Sequence, residues 1–318
     1  VTSRTAAYLS PGRDLGSGID LARRADALGY DSVWVTHGAG RDSFVVLTTY
    51  GAATTRVRLG NGVVPIYPRH PVAMAQAALT LSEVTSGRFV LGLGVSHRPT
   101  MEGMLGLHLD APLAVTREYV AVLRGALAGG TSFEGKFFRV TWSIALPERP
   151  PAPPVYLATL GPKMCELAGE IADGAILWLC APDYIRRVAL PAIERGRRRA
   201  GKPLDGFEVV AAVPLAVTRG VADARAAFRS ELTRYLTLPF YRAMLEASGY
   251  GPALAEYDRT RETPELLADA LGAIGDPDAC RRYVEEYRRA GVTLPAIRPI
   301  AFPDAPWYGP TVEAAAAW

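Results

Sequence analysis

Cysteine is scarce in this chain: Cys165, Cys180 and Cys280 are odd in number, far apart and without a CxxC pair. That pattern argues against a disulfide framework and a thiolate zinc site and fits a reducing, cytoplasmic setting. The histidines His37, His70, His97 and His108 show neither HxxxH nor HExxH spacing, so no helical metal motif and no metal is expected. No apolar run approaches the ~20 residues that span a bilayer, and the N-terminus carries no basic-then-apolar leader, so no membrane role is expected. Charge of one sign is also lacking. The formal net charge is +3 and the arginines are dispersed, so nothing calls for nucleic acid as a partner. The densest basic run, Arg195 to Arg199 around Gly196, closes a helical stretch before Gly201. It reads as a solvated helix end whose cations suit the dipole, with contact to an anionic ligand as the alternative. No internal repeat is evident, and low complexity is confined to Ala314 to Ala317.

What is present is a hydrophobic fraction of 49% against 21% charged residues, the balance of a soluble globular protein with a large core. Strand-like and helix-like segments alternate from end to end. The strand candidates are Thr5 to Leu9, Ser32 to Thr36, Arg58 to Val64, Phe89 to Gly94, Val155 to Ala158, Ala175 to Leu179, Phe207 to Val217 and Leu294 to Ile300. Ile19, Leu21, Ala22, Ala25 and Leu28 recur at helical spacing and Gly29 stops that helix, while Pro71 and Asp276-Pro277 open two others. Eight pairs predict an α/β fold, a (β/α)8 TIM barrel forming a single domain over residues 1–318, with insertions after the fourth and seventh helices. The first insertion, Thr131 to Pro154, reads as a hairpin and a proline-rich connector. The second, Thr237 to Thr263, reads as helices over the barrel mouth, with a surface excursion or dimer contact as the alternative.

Chemistry is expected where the strands end. Arg88 to His97 is an unbroken apolar strand running into a glycine-rich turn, as a strand covered on both faces would. Gly92 and Gly94 let the backbone approach something closely: a phosphate or planar ring with the Ser96 hydroxyl donating, or the barrel's own packing. The dinucleotide fingerprint is incomplete, because the third glycine is missing. In Thr159-Leu160-Gly161-Pro162-Lys163, Gly161 gives a turn and Pro162 the first helical position, which presents a helix N-terminus to a phosphate beside Lys163, or forms a bare cap. Gly62, late in an apolar strand after Asn61, suggests a bulge or a backbone facing a ligand. His37 is delivered to the mouth by the second strand and is able to move a proton near neutral pH, and Glu102 is a second acid/base candidate. An ordinary hydrogen-bonded histidine and a surface carboxylate are the alternatives.

Several linked segments carry a resemblance: Gly29-Tyr30-Asp31-Ser32-Val33-Trp34-Val35-Thr36, Gly40-Arg41-Asp42-Ser43-Phe44, Arg58-Leu59-Gly60-Asn61-Gly62-Val63, Ser86 to Ser96 and Ala172-Asp173-Gly174. Together they resemble the luciferase-like flavin and deazaflavin oxidoreductases, and within them the coenzyme F420-dependent branch that includes methylenetetrahydromethanopterin reductase. The resemblance implies a homodimeric barrel binding F420, or FMN, at its C-terminal face and acting on a small-molecule substrate. It implies cofactor contacts at Thr36, His37, Asn61, Gly62, Val63, Gly94, Val95, Ser96, His97, Thr159, Leu160, Gly161, Pro162 and Lys163. It also implies a cis peptide at Gly62-Val63. Where several F420-dependent members carry an acidic residue and then histidine, this chain has His37-Gly38. The activity implied is hydride transfer between C5 of the deazaflavin and a C=C, C=N or alcohol group, with His37 or Glu102 moving the proton. An FMN-dependent monooxygenase of the same fold is the alternative, and a non-catalytic barrel relative the third.

Overall fold

The computed structural model describes residues 4–9, 14–302 and 309–318. Eight parallel strands close into a barrel: β1 (Ala6–Tyr8), β2 (Ser32–Val35), β3 (Arg58–Asn61), β4 (Phe89–Gly94), β5 (Val155–Thr159), β6 (Gly174–Leu177), β7 (Glu208–Val217) and β8 (Leu294–Pro299). Closure is the pairing of β8 with β1, where Ala6 stands opposite Ala296. Strand β4 is buried along its whole length, as its unbroken apolar run requires when helices cover the outside and side chains fill the inside.

The outer helices begin and end at the residues suited to it. In α1 (Leu15–Leu28) the Asp14 side chain accepts from the Ser17 N–H at 2.8 Å, and Gly29 ends the helix at φ 84°, a left-handed conformation that glycine adopts without steric cost. The helix α2 (Ser43–Ala53) is capped by Asp42, α3 (Pro71–Val84) has proline in its first turn, and α4 (Pro112–Leu127), α5 (Pro162–Ile171) and α6 (Leu190–Arg199) follow. The basic run ending α6 departs from the solvated expectation at Arg197. That side chain is buried, bonds the Pro203 carbonyl at 2.8 Å and lies over the Phe207 ring, because its stem faces the barrel wall while its neighbours face outward.

Both irregular regions exist as elements. Gly130–Glu134 and Arg139–Ser143 form an antiparallel hairpin between α4 and β5. The helical excursion leaves directly from β7 as α7 (Val221–Leu236), α8 (Pro239–Ala247), α9 (Gly251–Thr260) and α10 (Glu265–Leu271). A short strand, Ala273–Gly275, then pairs with Leu215 to Val217, and α11 (Pro277–Arg289) packs beside β7 and β8 as the barrel's own seventh helix. The insertion therefore precedes that helix. Helical spacing could not tell which of five successive helices flanks the sheet, whereas the pairing at Leu215 to Val217 does.

Inside the barrel, alternation puts even-numbered residues inward and stacks them in layers. The floor is charged: Asp31 meets Arg4 at 2.7 Å and Arg58 at 2.5 Å, Arg58 reaches Glu208 at 3.1 Å, and the Tyr156 hydroxyl donates to Glu208 at 2.9 Å. Burial would raise the Asp31 carboxyl, but the two guanidinium groups outweigh it and hold it low. Above lie Ala6, Trp34, Ile176, Val210 and Ala296. The closed floor leaves the C-terminal mouth as the end open to chemistry.

Candidate active site

Two side chains at neighbouring strand ends and one at the start of α2 form a relay. Asn61, fully buried at the end of β3, donates from Nδ2 to Ser43 Oγ at 2.7 Å, and Ser43 Oγ lies 3.1 Å from His37 Nδ1. The Ser43 backbone N–H also donates to His37 Nδ1, at 3.3 Å. Nδ1 is therefore an acceptor, and the neutral ring carries its proton on Nε2. Burial pushes the His37 pKa down, with Arg69 acting the same way and Asp42 opposing. The imidazole is thus neutral near pH 7 and offers an Nε2–H donor. The Asn61 Oδ1 atom is buried with no hydrogen-bond partner among the described residues.

Close packing sets the backbone around this relay. The Gly62–Val63 peptide is cis. A Cβ on Gly62 would stand 2.1 Å from the Tyr8 hydroxyl oxygen, and one on Gly92 would stand 1.9 Å from the Asn61 carbonyl oxygen. One on Gly94 would meet Val63 Cγ2 at 2.7 Å and Ala158 Cβ at 3.1 Å. The close approach that Gly92 and Gly94 permit is therefore to the protein's own third strand, which bulges against the fourth.

The remaining sequence-predicted positions lie on the same rim. Thr36 is exposed at the end of β2, Val63 and Val95 to His97 are partly exposed after β3 and β4, and Ser96 sits at φ 62°. Thr159 is buried and Leu160 and Gly161 are half-buried, while Pro162 and Lys163 are exposed at the start of α5, where no side chain caps the first N–H groups. Glu102 stands apart from the relay. It lies on a π-helical turn (Pro99–Met104), pairs with Arg98 and accepts from the Leu109 N–H at 3.3 Å, bonds that brace its own loop.

Other mouth residues escaped the sequence reading. Tyr8, Trp178 and Arg298 form the top inward layer: Tyr8 meets Trp178 edge-on at 5.0 Å, and the Arg298 guanidinium lies 5.4 Å from the Trp178 ring centroid. The insertion closes over them, with Glu231 of α7 on Arg298 at 3.0 Å and Tyr241 of α8 at 5.8 Å from His97. Burial lowers the His97 pKa and raises those of Tyr8 and Tyr241. Inward parity at strand ends was the signal available for Tyr8, Trp178 and Arg298. Ser43 had none beyond its place in a motif. The thiols are buried, and burial pushes Cys165 and Cys280 up to about 11, outside the reactive range. Among the described residues no cluster of His, Cys, Asp and Glu could hold a metal ion, and no helix is long and apolar enough to cross a membrane.

A closed parallel barrel with a neutral histidine, an orphaned amide oxygen and an uncapped helix start at its C-terminal mouth is built as a (β/α)8 enzyme. The chain belongs to the luciferase-like monooxygenase family, whose model matches residues 1–294. It is 29% identical over 286 residues, covering 86% of each chain, to 5,10-methylenetetrahydromethanopterin reductase of Methanolobus tindarius. Its fold superposes over the full length of both chains, at a TM-score of 0.82 and 21% identity, on an F420-dependent secondary alcohol dehydrogenase in complex with an F420-acetone adduct. It also superposes on the oxygenating constituent of 3,6-diketocamphane monooxygenase of Pseudomonas putida in complex with FMN, at a TM-score of 0.73 and 18% identity over 99% and 97% of the two chains. The chain is an oxidoreductase of this family.

Proposed function

We propose that the protein is an F420-dependent oxidoreductase that moves a hydride between C5 of the deazaflavin and a small organic substrate, reducing a C=C or C=N bond or oxidising an alcohol. The observation that carries this reading is the Asn61–Ser43–His37 relay, which presents a fixed Nε2–H donor beside an unpartnered buried acceptor, Asn61 Oδ1. A flat ring with polar edges and a phosphate-bearing tail fits those groups. Its ring would rest against Val63, and its phosphate would lie by Ser96, His97 and the uncapped start of α5 near Lys163. The family relationship supports the same assignment.

When bound, the deazaflavin supplies the two-electron chemistry. The chain's part is to hold the ring face against the substrate, keep water out under α7 and α8, and manage a proton. His37, neutral and donating from Nε2, suits a hydrogen bond to a substrate oxygen or nitrogen; Glu102, held by Arg98 and the Leu109 N–H, suits bracing the loop after β4. The experiment is a titration of the purified protein with F420 and with FMN separately, read by cofactor fluorescence. Micromolar or tighter binding of F420 with weaker FMN is expected. Preference for FMN would replace this reading with the monooxygenase one, and binding of neither would favour a non-catalytic barrel. Sedimentation of the same sample tests the homodimer expected from the resemblance.

A further inference from the structure

At the centre of the mouth, Arg298 has spent only part of its hydrogen-bonding capacity. It is the last inward residue of β8, its side chain is 12% exposed, and among the described residues only its Nη1 is bonded, to the Glu231 carboxylate at 3.0 and 3.1 Å. Nε and Nη2 are buried and have no partner among the described residues. These two lie on the same edge of the guanidinium, the edge that grips a carboxylate with two parallel N–H···O bonds. Trp178 at 5.4 Å and Phe228 at 5.8 Å lie against the ion and offer it no hydrogen-bond acceptor. A cation with a free fork, desolvated against two aromatic rings beside Tyr8, is a costly arrangement unless something completes it.

We infer that Arg298 is the anchor for a carboxylate on the substrate, so that the small organic substrate of the oxidoreductase is an organic acid. The inference takes from the proposed function only that this mouth is where substrate binds. The fork is covered by α7, whose Phe228 and Glu231 both touch Arg298. Entry of the acid therefore moves α7 aside at Phe228, while Glu231 keeps Nη1 and its charge opposes that of the incoming acid. A guanidinium can accept a second carboxylate on its free edge while keeping the first.

The test needs no turnover. Acetate, propionate and benzoate, each paired with its uncharged amide, are titrated into the protein by calorimetry and by tryptophan fluorescence, with Trp178→Phe identifying the signal from the mouth. The same titrations are run with and without saturating F420. At least one acid is expected to bind saturably and on the order of tenfold more tightly than its amide. Arg298→Lys, which keeps the charge and loses the fork, is expected to lose that preference, and Glu231→Gln to strengthen it. Equal binding of acids and amides, or an undiminished preference in a folded Arg298→Lys protein, overturns the inference. Acid binding by a protein with no affinity for F420 would sink the cofactor reading and leave this one standing, and F420 binding without acid preference would do the reverse.

Discussion

Asn61 and His37, on different strand ends, act on each other through one hydroxyl: Ser43 Oγ accepts from Asn61 Nδ2 at 2.7 Å and stands 3.1 Å from His37 Nδ1. Removing that hydroxyl in Ser43→Ala leaves the Asn61 amide, already unpaired at Oδ1, without its remaining side-chain partner in a buried position. The expected loss is about 1–3 kcal/mol in denaturant unfolding. Imidazole nitrogen chemical shifts should show one tautomer, protonated on Nε2, in both proteins, because the backbone N–H of residue 43 still donates to Nδ1 in the variant. A mixture in the variant would mean that the Ser43 hydroxyl, and not the backbone N–H, sets the ring.

Val63 and Gly94 give a second test, of how tightly the third strand seats on the fourth. Gly94→Ala drives a methyl to 2.7 Å from Val63 Cγ2 and 3.1 Å from Ala158 Cβ, and overpacking of this kind costs roughly 1–3 kcal/mol. Val63→Ala removes the nearer clash, so the double variant is expected to be more stable than the sum of the single effects allows. Additive losses would show that the two do not share the site. Gly92→Ala should fare worse than Gly94→Ala, because its methyl meets the Asn61 backbone carbonyl at 1.9 Å, which no side-chain substitution relieves.

Acid should weaken the fold in a window set by histidine. Burial lowers the pKa values of both His37 and His97 in the folded state, so the unfolded chain takes up protons first as pH falls through its ordinary value of about 6.5. Stability is therefore full above that value and declines as pH drops through it toward the folded pKa values. Carboxylates held low, such as Asp31 and Asp42, lose their contribution only near and below their ordinary value of about 4. Unfolding curves from pH 8 to 5 should show the decline, and His37→Gln with His97→Gln should flatten it. An equal slope in the double variant would assign the acid sensitivity elsewhere.

The fold was legible because its signals are local. Strand β4 matches its expected bounds, Phe89 to Gly94, since a strand buried on both faces has no polar residue to blur it. Gly29, Pro71 and Asp276 mark helix ends through backbone geometry that is read directly from residue type. The position of the second insertion was not legible, since α7 and α11 are both helical by spacing and only strand pairing distinguishes the one beside the barrel.

The site divides along the same line. The sequence by itself determined the alternating architecture, the glycine turns after β3 and β4 and the delivery of His37 to the barrel mouth, because each depends on residues near one another in the chain. Only the tertiary structure decided that Gly92 and Gly94 serve contact with the third strand and that Ser43 links Asn61 to His37. It alone put Arg298 beside Trp178, 120 positions away, and left two of its donors unbonded. Those outcomes follow from barrel closure, which sets eight strand ends around one axis and brings together side chains that periodicity along the chain cannot relate.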